Sequence, residues 1–564
     1  MRDRPATAAY NAPRRAGLPC TGCGSRCWAA VIITVLSAAH AEGRIVHVDR
    51  SATGENSGMD WKNAFVLLQD AIAASGPGDE LRIAEGTYLP DRGQGRTPGD
   101  RNATFTFKDN MSVYGGFPSG GAPMEDRNPT RHLTVLSGDL AGNDGNDLPQ
   151  GNPQAPPQND GSLHVVTISN LVVGVFLDGL VIRGGRAEGT YPDNVGAGLL
   201  ILDAPCTVVN CTFVDNRADM GGGIYDMRMG DISVRTVLRY CTFTDNLAWT
   251  GGGAIYVVLD GPDIEDSCFT GNTAGQNGAG GAIACNIGGP TIQRCRFFGN
   301  RAHWGGAIDN DAGSTSIVSC AFSGNTASFG GAVSNTNAGQ LVLINCTLSR
   351  NSAEVYGGGV RTYERSASSL VNCILWDNDA LDGGDQLSLR HGTRGSVRFC
   401  NMQAGSDSVL VEEDSQLDLS SGNNIADDAR FIDADGPDGT PGTGDDDLHL
   451  LASSPCIDAG DANALPRAAR DVDGRPRHTD APQRPDTGSG APPAIDIGAD
   501  EFTLKADISL EGVVDTHDLL ILAGQWLQMQ IPDHGTRPDA DLTGDHTVNM
   551  LDFAVFATYW LAGT

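Results

Sequence analysis

Basic side chains are scarce in this chain. Lys and Arg number 38 against 70 Asp and Glu, a formal net charge of −32. Nucleic acids and anionic membrane surfaces need a positive field, so both are excluded as principal partners. Long apolar runs are lacking as well. The pronounced one, Trp28 to Ala39, covers twelve residues, too few to span a bilayer, and no other segment is a candidate for a transmembrane span. Charged residues make up only 19% of the chain, which suits many uncharged polar turns. Glycine, by contrast, is abundant at 74 residues. It recurs in register, so disorder is not the natural reading.

The apolar run follows an Arg-bearing leader (Arg2, Arg4, Arg14, Arg15, Arg26) and ends in Ala39-His40-Ala41. A small-x-small ending after a short apolar core reads as a secretory signal peptide cut after Ala41, with a short buried helix as the plainer alternative. The expected location is therefore secreted or cell-surface.

The middle of the chain repeats itself. Phe213, Phe243, Phe269, Phe297, Phe322, Leu348 and Leu375 are each followed three residues later by Asn (216, 246, 272, 300, 325, 351, 378) and then by Ala two further on. Successive anchors lie 30, 26, 28, 25, 26 and 27 residues apart. This period marks a solenoid, in which each unit buries its apolar face against its neighbours. An aliphatic stands five residues before each anchor, from Val208 to Leu370. Two residues before come Cys211, Cys241, Ser267, Cys295, Cys320, Cys346 and Cys373, with Cys400 before a degenerate anchor, Met402. The gap of three between these columns breaks strand alternation and calls for a tight bend. Coils about 4.8 Å apart bring adjacent cysteines within disulfide reach. A column of small buried thiols is the alternative, and Cys packs well as a small hydrophobe. The Asn column suits left-handed turns and coil-to-coil amide bonding.

A second phrase follows each Asn: Gly221-Gly-Gly-Ile224, Gly252-Gly-Ala-Ile255, Gly280-Gly-Ala-Ile283, Gly305-Gly-Ala-Ile308, Gly330-Gly-Ala-Val333 and Gly358-Gly-Val360. The glycines permit tight turning into a strand and match no phosphate-binding loop. Upstream, Ile45 to Val48 alternates like a strand, and Trp61 to Ala74 reads as an amphipathic helix closing the first coil. Strands are expected at 80–88, 105–107, 111–117, 132–136, 164–168 and 175–182. Residues 141–161 read as an excursion loop. Asp433 to Asp447 holds six Asp and fits either a calcium-wrapping loop or a solvated acidic one.

The paired Gly-Gly-Ala-Ile and Phe-x-x-Asn phrases resemble the polymorphic outer-membrane-protein type of right-handed parallel β-helix repeat. Trp61-Lys-Asn-Ala64, Gly86-Thr-Tyr88, Cys456-Ile-Asp-Ala-Gly-Asp461 and Asp496-Ile-Gly-Ala-Asp-Glu-Phe502 look like the usual start and finish of such proteins. The resemblance covers about residues 45 to 503 and implies an all-β, right-handed parallel β-helix with an N-terminal capping helix. Members include adhesins, surface proteins and polysaccharide-active enzymes, so the fold leaves activity open.

Residues 506–564 carry a different repeat. Asp507, Asp515, Asp518, Trp526 and Leu527 recur 34 residues later as Asp541, Asn549, Asp552, Trp560 and Leu561. Each half is an acidic loop of twelve followed by an apolar helix, with oxygen-bearing side chains spaced to encircle Ca²⁺. This tail resembles a type I dockerin, a calcium-dependent module that docks onto cohesin domains. The resemblance implies ligands Asp507, Ser509, Glu511, Asp515 and Asp518 with the Val513 carbonyl. In the second loop it implies Asp541, Thr543, Asp545, Asn549 and Asp552 with the Thr547 carbonyl. Ser509, Thr543 and Glu511 depart from the usual residues, and His546 stands where Gly makes the sharp turn. These departures imply reduced calcium affinity.

The expected domains are 1–41 (signal peptide), 42–180 (cap and first coils), 181–405 (regular repeats), 406–505 (last coils, acidic loop and cap) and 506–564 (calcium-loop tail). One outward column runs Tyr225, Tyr256, Ala284, Asp309, Ser334, Arg361, with His303, Trp304, Asp311, Tyr363 and Arg365 near it. Aromatics, a carboxylate and Arg on one face suit a sugar groove, and a varied solvated flank explains the same residues. The paired-Asp and Gly-His-Gly signatures of pectin-active β-helix hydrolases are absent, so no catalytic residue is assigned. Two functions remain in view: a non-catalytic glycan- or surface-binding β-helix tethered to a cohesin-like partner, and a polysaccharide lyase or glycoside hydrolase acting on an extracellular acidic polysaccharide.

Overall fold

The structure, a computed structural model, describes residues 43–143, 160–229, 235–259, 261–420, 422–479, 481, 485–502, 516–524, 552–554 and 556–557. The signal-peptide reading at 1–41 lies outside the described residues.

Each repeat closes one coil of a parallel solenoid. Cys206–Val209, Thr212–Val214, Arg217–Met220 and Ile224–Met227 form one coil, and the chain then returns to Val237–Arg239, beside where it began. Stacking builds four parallel sheets among the described residues. Sheet 1 has 13 strands, from Ile45–Val48 to Gln416–Asp418, and sheet 2 has 11, from Gly86–Tyr88 to Asn401–Met402. Sheet 3 has seven, from Arg217–Met220 to Asp379–Ala380, and sheet 4 has 11, from Phe105–Thr106 to Val409–Val411.

The bend expected between sheets 1 and 2 rests on one residue per coil. Asn210, Tyr240, Asp266, Arg294, Ser319, Asn345, Asn372 and Phe399 all adopt left-handed backbone, with φ of 49–53°. Just beyond the corner the Cys column is fully buried, and every cysteine described is a free thiol. The anchors then stack. Phe213, Phe243, Phe269, Phe297 and Phe322 lie with centroids 4.7–4.9 Å apart and ring planes within 6° of parallel. The strand spacing sets that distance, which falls within the usual range for stacked aromatic pairs.

The Asn column forms an unbroken amide ladder. Each Asn from 216 to 351 donates its Nδ2 to the Oδ1 of the next, at 2.8–3.0 Å. From Asn246 onward each Oδ1 also accepts the backbone N–H of the preceding Asn, and Gln386 accepts from the last, Asn378, at 2.7 Å. The left-handed residue is not the Asn, as the sequence suggested, but the one before it, such as Asp215, Asp245, Gly271 and Asp377. The Asn itself must keep its side chain pointing inward along the stack, and the preceding residue makes the corner.

The Gly-Gly phrase makes the turn from sheet 3 to sheet 4. Gly280 sits at φ 62°, and a Cβ on Gly281 would come 2.1 Å from the Gly306 carbonyl of the next coil. Only glycine fits there.

The N-terminal helix is shorter than expected. It spans Leu68–Ala74, with Leu68, Gln69, Ala71 and Ile72 buried. Residues 61–67 turn instead, because Phe65 donates its backbone N–H to His47 O (2.9 Å) and accepts from Asp49 N (2.8 Å), adding to the first coil. Strands 80–88 and 175–182 each divide at a glycine corner into Glu80–Ala84 with Gly86–Tyr88 and Val175–Asp178 with Leu180–Arg183.

Beyond Gln416–Asp418 the chain folds back along the solenoid. Phe431–Asp433 and Asp447–Leu450 pair antiparallel. Asn345 Nδ2 donates to Asp496 O (2.8 Å), Ala499 N to Thr347 Oγ1 (2.9 Å), and Asp461 N to Asn372 Oδ1 (2.8 Å). The acidic loop serves the same attachment. Asp435 pairs with Arg350 at 2.8 Å, and Asp446 accepts from Ser323 Oγ at 2.5 Å.

Candidate functional site

The column after each Gly-Gly turn lies on sheet 4, in register: Tyr225 beside Tyr256, then Ala284, Asp309, Ser334 and Arg361. Inward neighbours such as Ile224, Ile255 and Ile308 fill the core, which leaves this column facing out. It is nevertheless almost covered: Tyr225 is 4%, Asp309 2%, Ser334 0% and Arg361 5% exposed. The column therefore floors a re-entrant corner, and sheet 3 supplies the wall. Trp304, Phe329 and Tyr356 pair coil to coil there and are all half-buried.

Contacts across the turn join floor and wall. The Arg361 guanidinium lies 5.0 Å from the Phe329 ring and 4.2 Å from Tyr363, and it donates to Ser334 Oγ at 3.4 Å. Arg390 lies 4.0 Å over Tyr356 and bonds Glu412 at 2.6 Å. Such cation–π pairs are worth about 0.5–2 kcal/mol each and fix the rings in place. His303 meets Trp304 and Phe329 edge-on at 4.2 and 5.4 Å. At the other end Tyr225 and Tyr256 stack at 5.8 Å. Burial pushes the Tyr256 hydroxyl above its usual pKa, so it stays a neutral donor; Asn286 lies 3.4 Å away. Asp311 is half-buried at the rim, next to Asn337 and Thr336 (3.4 Å). Arg365 is exposed and belongs to the turn after Tyr363.

The corner thus sets a line of aromatic rings beside polar side chains. Its Arg361 and Asp309 are held in packed, nearly covered positions. Within the sequence the aromatic wall was only half visible: Trp304, Phe329 and Tyr356 each directly precede a Gly-Gly pair, but their coil-to-coil pairing emerges only from the stack.

A second cluster, which the sequence reading passed over, sits on the folded-back segment. His449 Nε2 lies 2.7 Å from Asp473 Oδ2 and 3.7 Å from Asp500 Oδ1, while its Nδ1 lies 2.5 Å from Asp447 Oδ1. Burial disfavours charge on the imidazole, but Asp447, Asp473 and Asp500 outweigh it and raise its pKa to about 11. Burial also raises Asp500 to about 7 and Asp496 to about 8. Beneath them Arg477 and Glu501, both 0% exposed, pair at 3.3 Å. The alternating acid-base run Asp471-Val-Asp473-Gly-Arg475-Pro-Arg477 was the available signal.

Of the tail, a helix spans Thr516–Gly524, with Leu522 buried, where an apolar helix was expected after the first loop. Asp518 falls on its third residue. Residues 552–554 and 556–557 are helical as well, with Asp552 and Phe556 buried. Asp507, Ser509, Glu511, Val513, Asp515, Asp541, Thr543, Asp545, Thr547 and Asn549 lie outside the described residues, as does the side chain of Asp518.

These coils define a right-handed parallel β-helix. Residues 232–393 match the family described as the right handed beta helix region. No curated protein matches the chain. Among solved structures it is similar to pectate lyase Pel9A (14% identity, TM-score 0.34), over 82% of this chain and 97% of that one. It is also similar to a rhamnogalacturonan lyase (14% identity, TM-score 0.33), over 73% and 97%. Among the described residues no helix is long and apolar enough to cross a membrane.

Proposed function

We propose that this chain is a secreted or cell-surface β-helix of the polymorphic repeat type that binds a glycan along the corner between sheets 3 and 4. On this reading it is tethered to a cohesin-like partner through its calcium-dependent tail. The observation that carries the glycan reading is the wall of Trp304, Phe329 and Tyr356, locked by Arg361 and Arg390 beside a polar floor. Ring stacking in a preorganised site gives affinity without an ordering cost, and the three rings are half-buried rather than covered.

Electrophoresis through gels containing individual polysaccharides tests it. The protein is retarded by at least one polymer, and Trp304→Ala with Tyr356→Ala abolishes the retardation while leaving the fold intact. Equal mobility of the doubly substituted and native proteins in every retarding gel contradicts it. The tail reading rests on the two matched loops and on helical residues at 516–524 and 552–554.

A further inference from the structure

We propose that His449, Asp473 and Asp500 form a site for one divalent transition-metal ion of the zinc class, which clasps the folded-back C-terminal segment. Their candidate ligand atoms all lie within 4.8 Å of one another. A tetrahedral zinc site places its ligands about 3.3 Å apart. His449 Nε2 to Asp500 Oδ1, at 3.7 Å, is close to that, and the 2.7 Å to Asp473 Oδ2 opens by rotation of one carboxylate.

Two further observations point to a metal rather than to acidic crowding. Asp447 lies 2.5 Å from His449 Nδ1, the outer-shell carboxylate arrangement that fixes a ligating imidazole with Nε2 turned to the ion. Asp500 is 5% exposed, and its Oδ1 accepts no hydrogen bond although it faces the cluster. One nitrogen and two carboxylate oxygens suit zinc-class ions better than the all-oxygen shells of calcium or magnesium. Water completes the coordination.

Arg475 sits 3.4 Å from Asp473 Oδ2 and 3.9 Å from Asp500 Oδ1. Its side chain is 39% exposed, so it turns out to solvent when the ion enters. The ion displaces one proton from His449 Nε2. Asp473 also pairs with Arg296 on the solenoid, so the ion joins three distant points of the segment to the coil beneath.

The test titrates cobalt(II) into the chelator-treated full chain, with excess calcium holding any calcium loops. The expected result is one equivalent of cobalt with visible bands of nitrogen and oxygen ligation and no thiolate charge-transfer band. His449→Gln and Asp500→Asn each lose these bands, and zinc competes the cobalt away. A native spectrum lacking such bands, or one dominated by thiolate, overturns the proposal whether or not the variants fold. Bands that persist unchanged in both folded variants overturn it equally.

Discussion

Asn272 receives two hydrogen bonds from Asn246 on a single oxygen, from Nδ2 at 3.0 Å and from the backbone N–H at 3.1 Å. The same exchange recurs from coil to coil, so each buried amide satisfies the backbone of the coil before it. A polar column at the centre of a solenoid is tolerated because it is fully bonded.

Removing one rung in the middle strands donors on the coil before. Asn272→Ala leaves the Asn246 N–H and one Nδ2 hydrogen unsatisfied, at about 1–3 kcal/mol each. The expected destabilisation is about 2–5 kcal/mol by urea unfolding, and a loss below about 0.5 kcal/mol contradicts the ladder's role.

The folded-back segment weakens as pH rises. Asp496 goes from its ordinary 3.8 to about 8, chiefly by burial. The folded state therefore holds a proton that the unfolded state releases. Its contribution is fully present below about pH 4, falls progressively as pH rises and is lost above about pH 8. Asp496→Asn, neutral throughout, flattens that part of the stability–pH profile measured by chemical unfolding. An unchanged slope contradicts the assignment.

On the proposed reading of the tail, calcium binds two loops of unequal strength. Calorimetric titration of the full chain gives one ion per loop, the weaker at the loop carrying His546. Asp507→Ala and Asp541→Ala each remove one binding event, and both abolish capture by a cohesin domain in calcium. Full capture after calcium chelation contradicts the tethering account.

The solenoid was legible because its repeats are local and in phase: Phe-x-x-Asn-x-Ala names the stacked ring, the ladder rung and the sheet 3 alanine in six residues. What escaped was set by contacts distant in sequence. Trp61 to Leu67 has helical spacing, but the first coil recruits Phe65's backbone. The left-handed role passed from Asn216 to Asp215 because ladder bonding outranks turn preference. The outward column was named correctly, yet its near-complete burial depends on the facing wall. His449, Asp473 and Asp500 meet only when residues 430–502 return along the coil, which no period announces.

The central claim is that the corner holds a glycan and does not cut it. The most direct measurement pairs gel retardation with product analysis on pectins, alginates, glycosaminoglycans and neutral polymers, with calcium present. The account predicts retardation that depends on Trp304 and Tyr356, with no new reducing ends and no unsaturated products. Release of either product, lost in Asp309→Ala or Arg361→Ala, contradicts it and makes the chain a hydrolase or a lyase.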